Sequence, residues 1–340
     1  MSSSFCEFRD GHYHSAIDIK TWLREGYPCY AIDDGRIERV RVSQFGYGKV
    51  IYLRLKDGNK AVYAHLQRFT PEIDAKVRQI QIKNQRYQVD WYPKNVPVKK
   101  GEVLAYTGST GTGLPHLHFE IRNKRDRPLN PQAYYPQIKD KIRPQLRSIA
   151  VIPLSYDARI NGNALTQVFA LTYIKDGIYV IRKPMMIKGR VGLAISGFDQ
   201  ADGAANKYGF YQTTMEIESK PVFQITYDEL NFATTDHIYT ETYYPFWVDS
   251  AQVYHKLYIE PFNPLSFYTK VTDHDGTIIL NDSPKQFTVI VTDFKGNKSI
   301  IRGELVPDLR SEIDIKFTKY EGNNLFLGFH TQSPKDIQFD

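Results

Sequence analysis

The sequence predicts a mainly β protein: an antiparallel-sheet domain with a short helical insertion, followed by an Ig-like β-sandwich region of one or two modules. Three observations lead there. Among 340 residues, 24 tyrosines and 19 phenylalanines favour extended backbone. Short apolar runs are separated by Asp-Gly, Asn-Gly and Lys-Gly turns along nearly the whole chain. Only residues 70–84 combine a polar cap, a proline at the first helical position and apolar residues at helical spacing. A chain this long exceeds one compact core, so two units are expected, at 1–138 and 145–307, with a strand-rich extension at 308–340.

Taken in order, residues 5–8 (Phe-Cys-Glu-Phe) read as a first strand. In the next segment, His12, His14, Ala16 and Asp18 have one parity and share a face if the backbone is extended. Residues 26–37 read as two strands joined by an Asp34-Gly35 hairpin turn. A second hairpin runs from Gly48 through the turn Lys56-Asp57-Gly58-Asn59 to Leu66, and His65 ends its last strand. After the helix at 70–84, expected beside the site, comes a polar connector with Trp91 and Pro93. The sheet resumes at 96–106, and the glycine-rich run Thr107-Gly108-Ser109-Thr110-Gly111-Thr112-Gly113 leads into the strand Pro115-His116-Leu117-His118-Phe119-Glu120-Ile121. Strand alternation places His116 and His118 on one surface and Leu117 and Phe119 in the opposite layer. Residues 139–144 read as a linker. Beyond it, strands bearing tyrosine and phenylalanine alternate with turns such as Asn161-Gly162-Asn163 and Asp273-His274-Asp275-Gly276, the pattern of a sandwich. The histidines there, His237, His255, His274 and His330, have no ligand spacing.

Composition narrows the function. Hydrophobic residues at 41% and charged residues at 24% describe a folded globular protein rather than a disordered one. No apolar run approaches the roughly 20 residues a membrane-spanning helix requires. Through Asp140 there are 23 Lys+Arg against 15 Asp+Glu, and beyond it 21 against 23. The basic half is the one with the histidine pair, which suits an anionic polymer or surface as neighbour, or equally a solvated basic face with no partner. Nucleic acid is not expected, since the cations are scattered and no recognised binding motif accompanies them. Cys6 and Cys29 cannot build a disulfide framework or a cysteine-rich zinc site and read as small buried side chains, with one disulfide as the alternative. The opening Met1-Ser2-Ser3-Ser4 reads as a chain whose export signal has been removed.

An isolated H-x-H is equally a pair of hydrogen-bonded histidines, and Asp18 could merely hold an imidazole in place. The set His14, Asp18, His65, His116 and His118 is more telling. Two histidines and a carboxylate leave the fourth position of a tetrahedral zinc open for water, while spare histidines can move protons at neutral pH. No H-E-x-x-H helix is present, which excludes a thermolysin-like protease.

His14-Ser15-Ala16-Ile17-Asp18 matches H-x-[GA]-x-D, Tyr63-Ala64-His65-Leu66 matches Y-x-H-L, and His116-Leu117-His118-Phe119-Glu120 matches H-L-H-F-E. With Gly26-x-Pro28, Lys100-Gly101-Glu102-Val103 and Thr107-Gly108 between them, residues 5–136 resemble the lysostaphin/LytM-type zinc endopeptidases that cleave bridges and stems of bacterial peptidoglycan. The resemblance implies one Zn2+ per chain on His14, Asp18 and His118. It implies that His65 and His116 orient water and stabilise the oxyanion; Glu120 reads as a residue that either supports a metal-bound histidine from behind or pairs strands. It further implies peptidoglycan as partner and the bacterial cell envelope, periplasmic or secreted, as location, with the sandwich available to an envelope protein. Cys6 stands where glycine is frequent, Cys29 where valine is frequent, and the insertion at 68–95 is long; these affect the groove, and none removes a ligand. The expected function is hydrolysis of amide bonds in peptidoglycan cross-bridges or stem peptides. Two alternatives are a catalytically inactive LytM-like module that binds the wall or activates another hydrolase, and a glycan-binding sandwich with a vestigial first half.

Overall fold

The computed structural model describes residues 1–135, 138–272 and 274–309, together with the backbone of the strands Asp314–Glu321 and Asn324–His330. Asp273 of the expected turn, residues 136–137 near the expected boundary and the rest of 310–340 lie outside the described residues.

The first half is built on an eight-stranded antiparallel sheet. Its path runs Pro97–Val98, Gly35–Val42, Lys49–Leu55, Lys60–Ala64, His116–Arg122 and Pro128–Leu129. Ile17–Lys20 also pairs with His116–Arg122, and Val89–Trp91 with Gly35–Val42. A three-stranded sheet of Pro28–Tyr30, Val103–Thr107 and Leu66–Phe69 packs against it. Alternation sorts the central strand as expected: Leu117, Phe119 and Ile121 are buried in a core with Ile17, Ile51, Leu53 and Tyr63. The hairpin of Lys49–Leu55 and Lys60–Ala64 turns at Gly58, whose φ of 86° a side chain would oppose.

Several expected elements differ. Residues 5–6 form a turn, with Cys6 at φ 54°, because the chain bends so that Cys6 N–H reaches the His14 carbonyl and His14 N–H the Glu7 carbonyl. The hairpin there joins Phe8–Arg9 to His12–Tyr13. Asp34-Gly35 makes no hairpin: Pro28–Tyr30 and Gly35–Val42 belong to different sheets. Gly35 is needed for close approach, since a Cβ there would lie 2.2 Å from the Arg54 carbonyl oxygen. The helix Pro71–Asn84 buries Ile73 and Val77 against the strands Leu66–Phe69 and Val89–Trp91, none of its residues lines the histidine-bearing groove, and the connector after it is partly strand. Cys6 and Cys29 are free and buried.

In the second half, a four-stranded sheet (Gln167–Ala170, Gln145–Pro153, Val191–Phe198, His255–Lys256) shares its buried residues with a larger mixed sheet containing Gln212–Ile217, Lys220–Thr226, Lys285–Thr292 and Lys298–Pro307. This is a sandwich with helical additions at Ile238–Glu241 and Tyr244–Ser250. Their tyrosines and phenylalanine point to strand by propensity, yet Pro245 opens the second helix and packing decides.

These helices and the 3-10 segment Phe232–His237 just before them grip the first half. Tyr13 N–H donates to Thr235 Oγ1 (3.1 Å), Gly11 N–H to Tyr239 Oη (3.1 Å), and Phe8 stacks edge-on against Trp247 at 4.7 Å between centroids. Tyr13 also donates to the fully buried Glu241, which His255 approaches at 2.8 Å. Burial works to lower the His255 pKa, but the Glu241 carboxylate outweighs it and raises the pKa above its ordinary value. Truncating Glu241→Ala should therefore cost about 1–3 kcal/mol in a denaturant titration, because it leaves the Tyr13 hydroxyl and the His255 ring without their buried partner.

Candidate functional site

The site is assembled by strand pairing. Asp18 and His118 are directly opposed in the ladder between Ile17–Lys20 and His116–Arg122, so their side chains rise from the same face. His14 arrives from the preceding turn, its Nδ1 hydrogen-bonded to the Ser4 carbonyl at 2.8 Å, so that Nε2 faces inward. His118 has the complementary arrangement, with Nε2 2.9 Å from Glu120 Oε1 and Nδ1 facing inward.

The three inward atoms form a tight triangle: His14 Nε2 to Asp18 Oδ1 3.2 Å, His118 Nδ1 to Asp18 Oδ1 3.2 Å, and His14 Nε2 to His118 Nδ1 3.3 Å. Asp18 Oδ1 is buried and makes no well-formed hydrogen bond despite its two close imidazoles. Burial would raise the Asp18 pKa, but His118 and His14 hold it well below the carboxylate range. Burial likewise opposes charge on His118, yet Asp18 and Glu120 raise its pKa to about 9. Such a convergence of nitrogen and oxygen donors fits a metal ion. A tetrahedral zinc with bonds of about 2.0–2.1 Å has donors about 3.3–3.4 Å apart, close to this triangle.

Behind the triangle, Glu120 is completely buried and satisfied from several sides. Ser15 Oγ donates to it at 3.0 Å, and Tyr47 Oη and Arg122 Nε donate as well; Arg122 also donates to Tyr47 Oη at 3.1 Å. The expected support of His118 by Glu120 is thus present, while Tyr47 and Arg122 had no signal in sequence.

His65 reaches the same surface by an unusual route. On a regular strand it would share the core face with Tyr63, which packs on Phe119. Instead His65 takes φ 61°, a left-handed conformation uncommon for a non-glycine residue, and so breaks the alternation. Its ring lies 4.8 Å from that of His116, with Nδ1 3.0 Å from the Thr110 carbonyl. Burial, with a smaller contribution from His118, lowers the His65 pKa to about 4. His116 places Nδ1 2.8 Å from the Leu114 carbonyl and Nε2 3.6 Å from Asp18 Oδ1. All five residues singled out in the sequence therefore come together along one open groove, which Arg9, His12, Arg41 and Tyr47 also line. Arg9 pairs with Glu7 at 2.7 Å and lies 3.9 Å from Asp18.

An antiparallel-sheet domain that converges two histidines and an aspartate beside two further imidazoles defines the class of metallopeptidase-like domains. The chain belongs to the LytM/lysostaphin-type peptidase family. Lipoprotein NlpD of Yersinia enterocolitica is 30% identical over 112 residues, 33% of this chain and 93% of the relative. The murein hydrolase activator NlpD of Escherichia coli K12 is 33% identical over 113 residues, 33% of this chain and 24% of the relative. The DD-carboxypeptidase/endopeptidase Mpg of Neisseria meningitidis serogroup B is 32% identical over 119 residues, 35% of this chain and 22% of the relative. The chain thus spans about a quarter of the length of that activator and of Mpg. Among solved structures, the catalytic domain of lysostaphin from Staphylococcus simulans aligns with 22% identity and a TM-score of 0.30, over 39% of this chain and 90% of its own. No protein-family model matches the chain.

Proposed function

We propose that residues 1–138 form a zinc-dependent endopeptidase unit that hydrolyses amide bonds in peptidoglycan cross-bridges or stem peptides in the cell envelope, with 145–307 as an accessory sandwich open to an envelope partner. The observation that carries this reading is the intact triangle of His14, Asp18 and His118, with an orphaned Asp18 oxygen, beside two further imidazoles that line the same groove. In this reading those three residues hold the zinc. Zinc there would lower the pKa of a bound water to roughly 7 and polarise the scissile carbonyl.

His65 and His116 divide the proton work. Each has Nδ1 against a backbone carbonyl, so in its neutral form Nδ1 carries the proton and Nε2 offers a lone pair to the groove. Both are therefore acceptors at rest, suited to orienting water and taking its proton. Whichever imidazole takes that proton becomes a donor and can then steady the oxyanion and pass the proton to the leaving amine.

The similarity to the murein hydrolase activator NlpD of Escherichia coli K12 favours a second reading in which the chain stimulates another hydrolase. Incubation of purified sacculi with the chain alone decides between them. Peptidase action releases amide-cleaved muropeptides, identifiable by mass, and a chelator abolishes the release. No release by the chain alone, together with faster digestion by an added hydrolase, would establish the activator.

A further inference from the structure

The second half contains a carboxylate cluster that the peptidase chemistry does not use. Asp140, Asp199 and Asp293 each bring a carboxylate oxygen within 4.8 Å of the others. They come from three separate places: Asp140 from the connecting segment, Asp199 just past the strand Val191–Phe198 of the four-stranded sheet, and Asp293 just past Lys285–Thr292 of the larger sheet.

We propose that these three aspartates bind a single Ca2+ ion that fastens the connecting segment to both sheets of the second half.

Two independent features separate this group from an ordinary acidic patch. The first is burial: Asp199 is 7% exposed and Asp293 2%, and Asp140 and Asp199 line a small cavity. The second is an unmet oxygen. Asp199 Oδ1 is buried without a hydrogen-bond partner, whereas Asp293 accepts from the backbone amides of Lys295 and Asn297, both at 2.8 Å, and Asp140 accepts from Ile142 N–H at 2.9 Å. A buried carboxylate that faces two others with one oxygen unpartnered is costly without a compensating cation. Burial, then repulsion from Asp293 and Asp140, pushes Asp199 up to about 8. Asp140 is pushed up to about 6 by burial and by its acidic neighbours Asp293 and Asp202, with Lys295 opposing.

The donors name the ion class. An all-oxygen set without histidine or cysteine suits a hard cation rather than zinc. Ca2+ tolerates the irregular geometry of a seam between elements, which Mg2+ does not. This site shares no residue with the histidine triangle.

Equilibrium dialysis of the full-length chain, stripped of metal and then exposed to radioactive calcium, tests the site. About one Ca2+ should bind per chain with a dissociation constant of about 10⁻⁵–10⁻³ M, the range of sensor and extracellular calcium sites, and the melting temperature should rise with calcium. His118→Ala should leave this binding intact. Asp199→Asn, isosteric and relieved of the repulsion, should fold and bind at least about tenfold more weakly; Asp140→Asn, in the half-exposed connecting segment, serves as a second variant. Absence of saturable binding at about 10 mM calcium, unchanged binding in both aspartate variants, or displacement of calcium by equimolar zinc would each overturn the proposal.

Discussion

Replacing His118 by alanine should strip the chain of zinc: metal analysis after dialysis should find about one equivalent in the wild type and less than about a tenth in the variant. Losing a residue that merely supports a zinc ligand typically costs 10–100-fold in affinity, so losing a ligand should cost at least about a hundredfold. The fold should survive, because Glu120 keeps Ser15, Tyr47 and Arg122 as partners when His118 is gone. Far-UV circular dichroism should therefore match the wild type. Full zinc content in His118→Ala would remove the residue from the ligand set and with it the basis of the peptidase reading.

How much of this was legible in the sequence depends on how local each cause is. The hairpin at Lys56-Asp57-Gly58-Asn59 and the helix Pro71–Asn84 are written in contiguous residues, and both are present. The pairing of Asp18 with His118 was readable only as a set of motifs, because residues far apart in the chain become neighbours through the sheet. Two features carried no local signal. The left-handed turn of His65 uses a histidine where a glycine would have marked it. Tyr47, 73 positions from Glu120, completes a buried network by tertiary contact alone. Asp34-Gly35 misled in the other direction, for a dipeptide common in hairpin turns here serves a close backbone approach between strands.

The division into two halves was read from chain length and from the change of strand-and-turn pattern after the linker, yet the hydrophobic core runs through both. The hairpin Phe8–Arg9 to His12–Tyr13, which leads into His14, is held by Thr235, Tyr239, Glu241 and Trp247. One edge of the groove is thus shaped by residues of the sandwich. This supplies a physical reason for an accessory region: it fixes the approach of the segment that carries His14, which is otherwise two residues of strand between turns.

His116→Ala should separate metal binding from catalysis. His116 lies outside the tight triangle, and its Nδ1 is committed to the Leu114 carbonyl, so its removal should leave zinc content near one equivalent. A positioned general base contributes about 10²–10⁴-fold, so turnover of sacculi or cross-bridge peptides should fall by that factor in kcat with little change in KM. His65→Ala should lose less, since its ring is more enclosed and a pKa of about 4 makes it a weak proton acceptor at neutral pH. Equal turnover in wild type and His116→Ala would show that the proton leaves water by another path, whereas loss of zinc in the variant would move His116 into the ligand set. A chain that binds zinc, hydrolyses nothing and yet accelerates a second hydrolase equally well with His116 or alanine would place its function in the groove's shape rather than its chemistry.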